Sequence, residues 1–146
     1  MDTSHYAFVN NPDPADRLHL RAKSEKGAAS LGKFYNRTPV YVLEERGDWA
    51  RVRIGRENRG LTGWMMKKYL AYGGDREDVD CAFPSLSVRG DSAELLAEPK
   101  EGAASRGEES GGFYVIGVYG DDWTIVMTED GTVGYVRSGN LWEGNG

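Results

Sequence analysis

One phrase occurs twice in this chain, and it restricts the possible folds more than any other feature. Gly47-Asp48-Trp49-Ala50-Arg51-Val52-Arg53-Ile54, a polar loop and Gly63-Trp64-Met65 return as Asp121-Asp122-Trp123-Thr124-Ile125-Val126, a loop and Gly134-Tyr135-Val136. Trp49 and Trp123 are 74 positions apart, as are Val52 and Val126, whereas Gly63 and Gly134 are 71 apart, as are Leu70 and Leu141. Gly27-Ala28-Ala29-Ser30 recurs as Gly102-Ala103-Ala104-Ser105 at a spacing of 75. Length changes therefore fall in loops while the strand-like motifs keep register, as in a duplicated fold.

Each phrase reads as a hairpin. Gly47-Asp48 is a turn, because glycine takes positive φ without steric cost and aspartate bonds its own backbone. Ala50, Val52 and Ile54 then alternate with Trp49, Arg51 and Arg53, the period of a strand with one apolar face. Gly55 to Thr62 suits the loop, Gly63-Trp64-Met65 a returning strand, and Lys67-Lys68-Tyr69-Leu70 a single closing turn. Tyr6 to Val9, Leu18 to Ala22 and Val40 to Leu43 supply further short strands. Lys23 to Lys33 reads as a long loop, and Ala71 to Asp80 as an acidic linker. Cys81 to Val88 reads as an edge strand leading the second repeat, the counterpart of Tyr6 to Val9. Gly107 to Gly112 reads as flexible, Tyr114 to Tyr119 as the strand matching Val40 to Glu45, and Leu141-Trp142 as the closing segment.

The order Leu18-x-Leu20-Arg21-Ala22, Gly32, Pro39-Val40-x-Val42-Leu43, Gly47-Asp48-Trp49-x-x-Val52, Gly63-Trp64-Met65 and Lys68-Tyr69-Leu70 resembles a bacterial SH3-type domain. A weaker resemblance runs from about Ala93 to Leu141. There Leu95-Leu96 stands for the Leu-x-Leu-Arg strand, Tyr135 for the second Trp, and the Lys-Tyr-Leu close is missing. The resemblance implies an all-β chain of two small SH3-like β-barrels in tandem, barrel 1 over 1–74 and a divergent barrel 2 over 75–146. It also implies a non-catalytic module of the bacterial envelope, extracellular or wall-associated, binding peptidoglycan or positioning a fused hydrolase.

Composition agrees with an ordinary globular chain, 39% apolar and 28% charged, with 20 glycines as a turn-rich β protein needs. Each repeat alone is near the size where core burial becomes marginal. Ile125 and Met127 also replace Arg51 and Arg53 on what should be the outer face, so the repeats are expected to pack on one another. No apolar run is long enough to span a membrane. Met1-Asp2-Thr3-Ser4 lacks the basic start and apolar segment of a signal peptide, so an exported form would be a mature or trimmed one. A single cysteine, Cys81, excludes an internal disulfide.

Charge is uneven. Residues 1–74 carry 13 lysines and arginines against 8 acids, net +5, and residues 75–146 carry 5 against 15, net −10. Either the first half faces an anionic polymer or the halves attract one another. The acidic second half argues against nucleic acid as a partner.

Tyr35, Trp49 and Tyr69 are candidates for a shallow aromatic groove, since aromatic faces stack on sugars and peptide planes at low entropic cost. Trp64 is better placed as a core residue sealing the barrel. Arg37, Arg51 and Arg53 are candidates for binding carboxylate or phosphate, with ordinary solvation as the competing reading. No catalytic residue, metal spacing or cofactor motif is present; His5, His19 and Cys81 lack surrounding motifs. Asn36-Arg37-Thr38 and Arg89-Gly90-Asp91 match glycosylation and adhesion patterns at a length that arises by chance. The lead expectation is a wall-polymer binding module. The alternatives are a protein–protein interaction module and a targeting fragment of a wall hydrolase.

Overall fold

The computed structural model describes residues 5–13, 17–72, 86–88, 93–109, 113–128 and 130–143. Those residues are all-β, joined by turns and two single 3-10 turns. No helix among them is long and apolar enough to cross a membrane. The chain divides into two compact units, one of Met1–Ile54 with Leu61–Ala82, the other of Gly55–Gly60 with Phe83–Gly146. The expected boundary after residue 74, Cys81, and most of the expected linker lie outside the described residues.

The first unit contains β1 (Tyr6–Val9), β2 (Arg17–Arg21), β3 (Ser30–Tyr35), β4 (Pro39–Arg46), β5 (Trp49–Ile54), β6 (Leu61–Met66) and β7 (Leu70–Tyr72), with the 3-10 turn Lys67–Tyr69 before β7. Its hydrogen-bonded order is β3-β2-β6-β5-β4-β1-β7. That order is open, whereas the resemblance implies two small SH3-like β-barrels. Two readings change. Ser30 to Lys33 belong to β3 rather than to a loop, with Gly32 and Phe34 facing inward opposite Leu20 and Leu18. Ala71 and Tyr72 belong to β7, paired with Phe8 and Ala7, rather than to a linker.

Alternation builds the core. Ala50, Val52 and Ile54 turn inward with Val9, Leu20, Phe34, Val40 and Met65, all with almost no exposure. Gly63 lies where β2 crosses β6. A Cβ there would stand 2.7 Å from the Arg21 carbonyl oxygen and 2.9 Å from Leu20 Cγ, so the crossing demands a residue without a side chain. Gly63→Ala is expected to destabilise the first unit by roughly 1–3 kcal/mol through overpacking, read as a lower urea midpoint.

In the second unit, β8 (Leu86–Val88) pairs with β14 (Leu141–Glu143), and β9 (Ala93–Leu96) lies between β10 (Ser105–Glu109) and β13 (Val133–Arg137). β12 (Trp123–Thr128) lies between β13 and β11 (Phe113–Tyr119). The polar stretch expected to be flexible from Gly107 thus begins inside β10.

Registers repeat between the units. Trp49 opposes Met66 as Trp123 opposes Arg137, and Val52 opposes Gly63 as Val126 opposes Gly134. Arg21 opposes Trp64 as Leu96 opposes Tyr135, and Val9 opposes Leu70 as Val88 opposes Leu141. The register shift between Val42 and Glu44 recurs between Val115 and Gly117. The second core is heavier on β12, where Trp123, Thr124, Ile125 and Val126 are all buried and Ile125 lies opposite Tyr135.

The tip of the β5–β6 hairpin, Gly55–Gly60, belongs to this second unit. Arg106 holds it from β10, and Arg59, within the tip, bonds back. Arg106 donates through Nη1 to the carbonyls of Arg59 (3.1 Å), Gly60 (3.1 Å) and Val133 (2.9 Å). Arg59 returns bonds from Nη2 to the Arg106 carbonyl and from Nε to Thr132 Oγ1, each 2.8 Å. Burial, then the neighbouring Arg59, lowers the Arg106 pKa, but a guanidinium remains charged at any working pH.

Beside the clasp, Asp130 closes the β12–β13 turn. Its carboxylate accepts from the Thr128 hydroxyl and from the Thr132 amide at 3.1 Å. The Thr128 hydroxyl above all, then Thr132, holds its pKa at about 2, below the ordinary 3.8. A depressed folded pKa stabilises the native state above the unfolded value, and that stability disappears as pH falls through the folded value. The wild-type chain should therefore lose stability between about pH 4 and pH 2. Asp130→Asn should show a smaller loss over that window in acid titrations followed by near-UV dichroism.

Candidate binding cleft

The first unit carries a cleft of about 270 Å³. β2 forms one wall, with Arg17, His19 and Arg21 at alternate positions and Leu18 between them. Trp49 at the start of β5 and Met66 at the end of β6 form the other wall, facing each other across the ladder. Tyr69, from the 3-10 turn, Asn11 and Lys26 complete it.

Local bonds hold these groups in place. Arg21 Nη1 donates to the Ala28 carbonyl at 2.9 Å, tying the β2–β3 loop that carries Lys26 to the cleft wall. His19 Nδ1 lies 2.7 Å from Ser30 Oγ. The Arg17 guanidinium lies 5.7 Å from the Tyr35 ring centre, and Lys68 Nζ lies 5.1 Å from that of Tyr69. The Asn10 amide donates to the Tyr69 carbonyl at 2.7 Å. Buried Asn36 grips the next residue twice. Its Oδ1 accepts from the Asn11 amide at 2.6 Å and its Nδ2 donates to the Asn11 carbonyl at 3.0 Å. That burial makes Asn36 a positioning residue for the rim and incompatible with a glycan.

The six residues singled out from sequence are dispersed. Trp49 and Tyr69 meet in the cleft, and Tyr35 adjoins it through Arg17. Arg37 occupies the left-handed region at φ 72°, with its guanidinium 5.8 Å from the Phe8 ring. Arg51 Nε lies 3.3 Å from Glu44. Arg53 stacks 4.9 Å from Tyr41, whose ring also meets Tyr6 edge-on at 5.0 Å. Arg37, Arg51 and Arg53 therefore do not line the cleft. The cations that do, Arg17, Arg21 and Lys26, were not singled out. Arg17 and Arg21 do carry a sequence signal, their alternation with His19 around buried Leu18 and Leu20, whereas Lys26, in the β2–β3 loop, carries none.

The described lining residues include three full cations and no carboxylate. Two aromatic faces beside such cations suit a ligand with a flat apolar surface and negative charge. Among the described residues there is no group of three or more His, Cys, Asp or Glu placed to hold a metal ion.

Residues 16–71 match the family model described as a bacterial SH3 domain. The matched stretch runs from β2 through most of β7 and includes Trp49, Met66 and Tyr69. No curated protein matches the chain. Similar solved structures include NlpC2 from Trichomonas vaginalis, at 16% identity and TM-score 0.38, covering 97% of this chain and 49% of that one. NlpC1 from the same organism gives 16% identity and TM-score 0.40, covering 97% and 46%. An NlpC/P60 family protein from Bacillus cereus ATCC 10987 gives 18% identity and TM-score 0.37, covering 94% and 56%. The chain spans about half the length of these proteins.

Proposed function

We propose that the chain is a non-catalytic binding module of the bacterial cell envelope, with residues 16–71 recognising peptidoglycan or another wall polymer through the Trp49–Tyr69 cleft. The observation that carries this reading is the meeting of Trp49 and Tyr69 with Arg17, Arg21 and Lys26 around one cleft, inside the stretch that matches the bacterial SH3 model. The second unit is, on this reading, a diverged copy of the same fold, which the repeated registers support. No chemistry is assigned to His19 and Ser30. Ser30 Oγ also contacts the carbonyl and amide of Gly32, each at 3.2 Å, and so closes a turn.

Co-sedimentation with purified sacculi tests the proposal. Binding should survive protease treatment of the sacculi. It should weaken about tenfold or more in Trp49→Ala, as when a central aromatic contact is removed. Loss of binding after protease treatment would instead indicate a protein ligand.

A further inference from the structure

A second cleft, of about 400 Å³, is lined by Asp48, Met66, Lys67 and Lys68. Met66 also lines the first cleft, so the two meet at that side chain. We propose that they form one groove, in which Lys67 and Lys68 build a cationic subsite for a second carboxylate on the same peptidoglycan ligand. This proposal rests on the wall-binding reading of the first cleft.

The second unit shows that the lysine pair is not needed for the turn that carries it. The Lys67 amide donates to the Asp48 carbonyl at 2.9 Å, and the Ser138 amide donates to the Asp122 carbonyl at 2.7 Å. Both clamps open a three-residue 3-10 turn that leads into the closing strand. Ser138-Gly139 makes that turn with neither cation. Lys67 Nζ does reach Glu45, but at 3.8 Å and on the surface, where an ion pair contributes little.

The position of Met66 supports the same conclusion. Its counterpart opposite Trp123 is Arg137, whose guanidinium lies 4.7 Å from the Trp123 ring centre and bonds Glu101, with Nε at 3.0 Å. There a charged side chain covers the tryptophan and is neutralised by its own unit. In the first unit Met66 is apolar and unbranched, Trp49 stays half-exposed, and the groove passes between cations at both ends. A ligand crossing it would meet Arg17, Arg21 and Lys26 on one side of Met66 and, on the other, Lys67 and Lys68 beside the single acid Asp48, so that positive charge is in surplus at both ends. That distribution favours two separated negative charges on one chain, as the free carboxylates of a wall stem peptide provide.

The test uses the whole chain and two probes, a muropeptide with free stem carboxylates and the same muropeptide with them amidated. The double substitution Lys67→Gln, Lys68→Gln should leave the melting temperature unchanged. It should weaken binding of the acid form roughly fivefold, as for a pair of exposed charge contacts. The amidated form should bind the wild type and the double variant equally. Equal binding of the acid form to both proteins, with Trp49 still required, would overturn the subsite and leave the first cleft standing. No binding of either probe to the wild type would overturn both. Preference for a phosphodiester wall polymer free of peptidoglycan would overturn the carboxylate assignment.

Discussion

Trp64→Ala should lower the stability of the first unit by about 3 kcal/mol or more, the lower end of the cost of removing a buried tryptophan. The reason differs from that suggested by the sequence. Gly63 and Met65 face the core with Val52 and Ala50, so Trp64, opposite Arg51, lies on the other face of the sheet. It is nevertheless only 8% exposed, with the Arg46 guanidinium 4.8 Å from its ring centre and Arg21 opposite it on β2. Truncation would leave a gap beneath flexible arginines that only partly collapse into it. Against a total stability of about 5–15 kcal/mol, a loss of that size is visible in any urea melt. A change below about 1 kcal/mol would mean that the ring is held loosely.

Arg106→Met should cost about 2–4 kcal/mol in the second unit. It removes a charge-assisted donor from the carbonyls of Arg59, Gly60 and Val133 and keeps most of the aliphatic bulk. Partial exposure lets water replace some of those bonds, which limits the loss. Hydrogen exchange should locate the effect at amides bonded within the clasp. Arg56 to Gly131, at 2.7 Å, and Val133 to Arg59, at 2.8 Å, are the two to follow. Unchanged protection at both would show that the hairpin tip is held without the arginine.

The parts of the fold legible in the sequence are those whose cause is local. Trp49 to Ile54 alternates strictly, Gly47-Asp48 makes its turn, and the same grammar at Asp121 to Val126 places β12 in the matching register. The start of β3 and the end of β10 contradict the loop readings because the residues there carry weak strand signals. Ser30 and Gly32 in β3, and Ser105-Arg106-Gly107-Glu108-Glu109 in β10, are strand only through ladder bonds to β2 and β9. The cleft divides in the same way. Trp49 and Tyr69 stand out as aromatic residues at strand and turn positions. Arg17 and Arg21 line the same cleft because β2 pairs with β6 at Arg21 and Trp64, a contact that no local pattern encodes. Arg51 and Arg53 share Trp49's parity and so looked equivalent, but cross-strand Glu44 and Tyr41 engage them instead.

The most direct test of the wall-binding account is amide chemical-shift mapping of the whole chain during titration with a protease-treated, solubilised muropeptide. Shifts confined to residues 17–26, Trp49 and residues 66–69, absent in Trp49→Ala, are the predicted result. Shifts centred on Tyr41, Arg51 and Arg53, or on the second unit, with the Trp49–Tyr69 cleft unmoved, would contradict it.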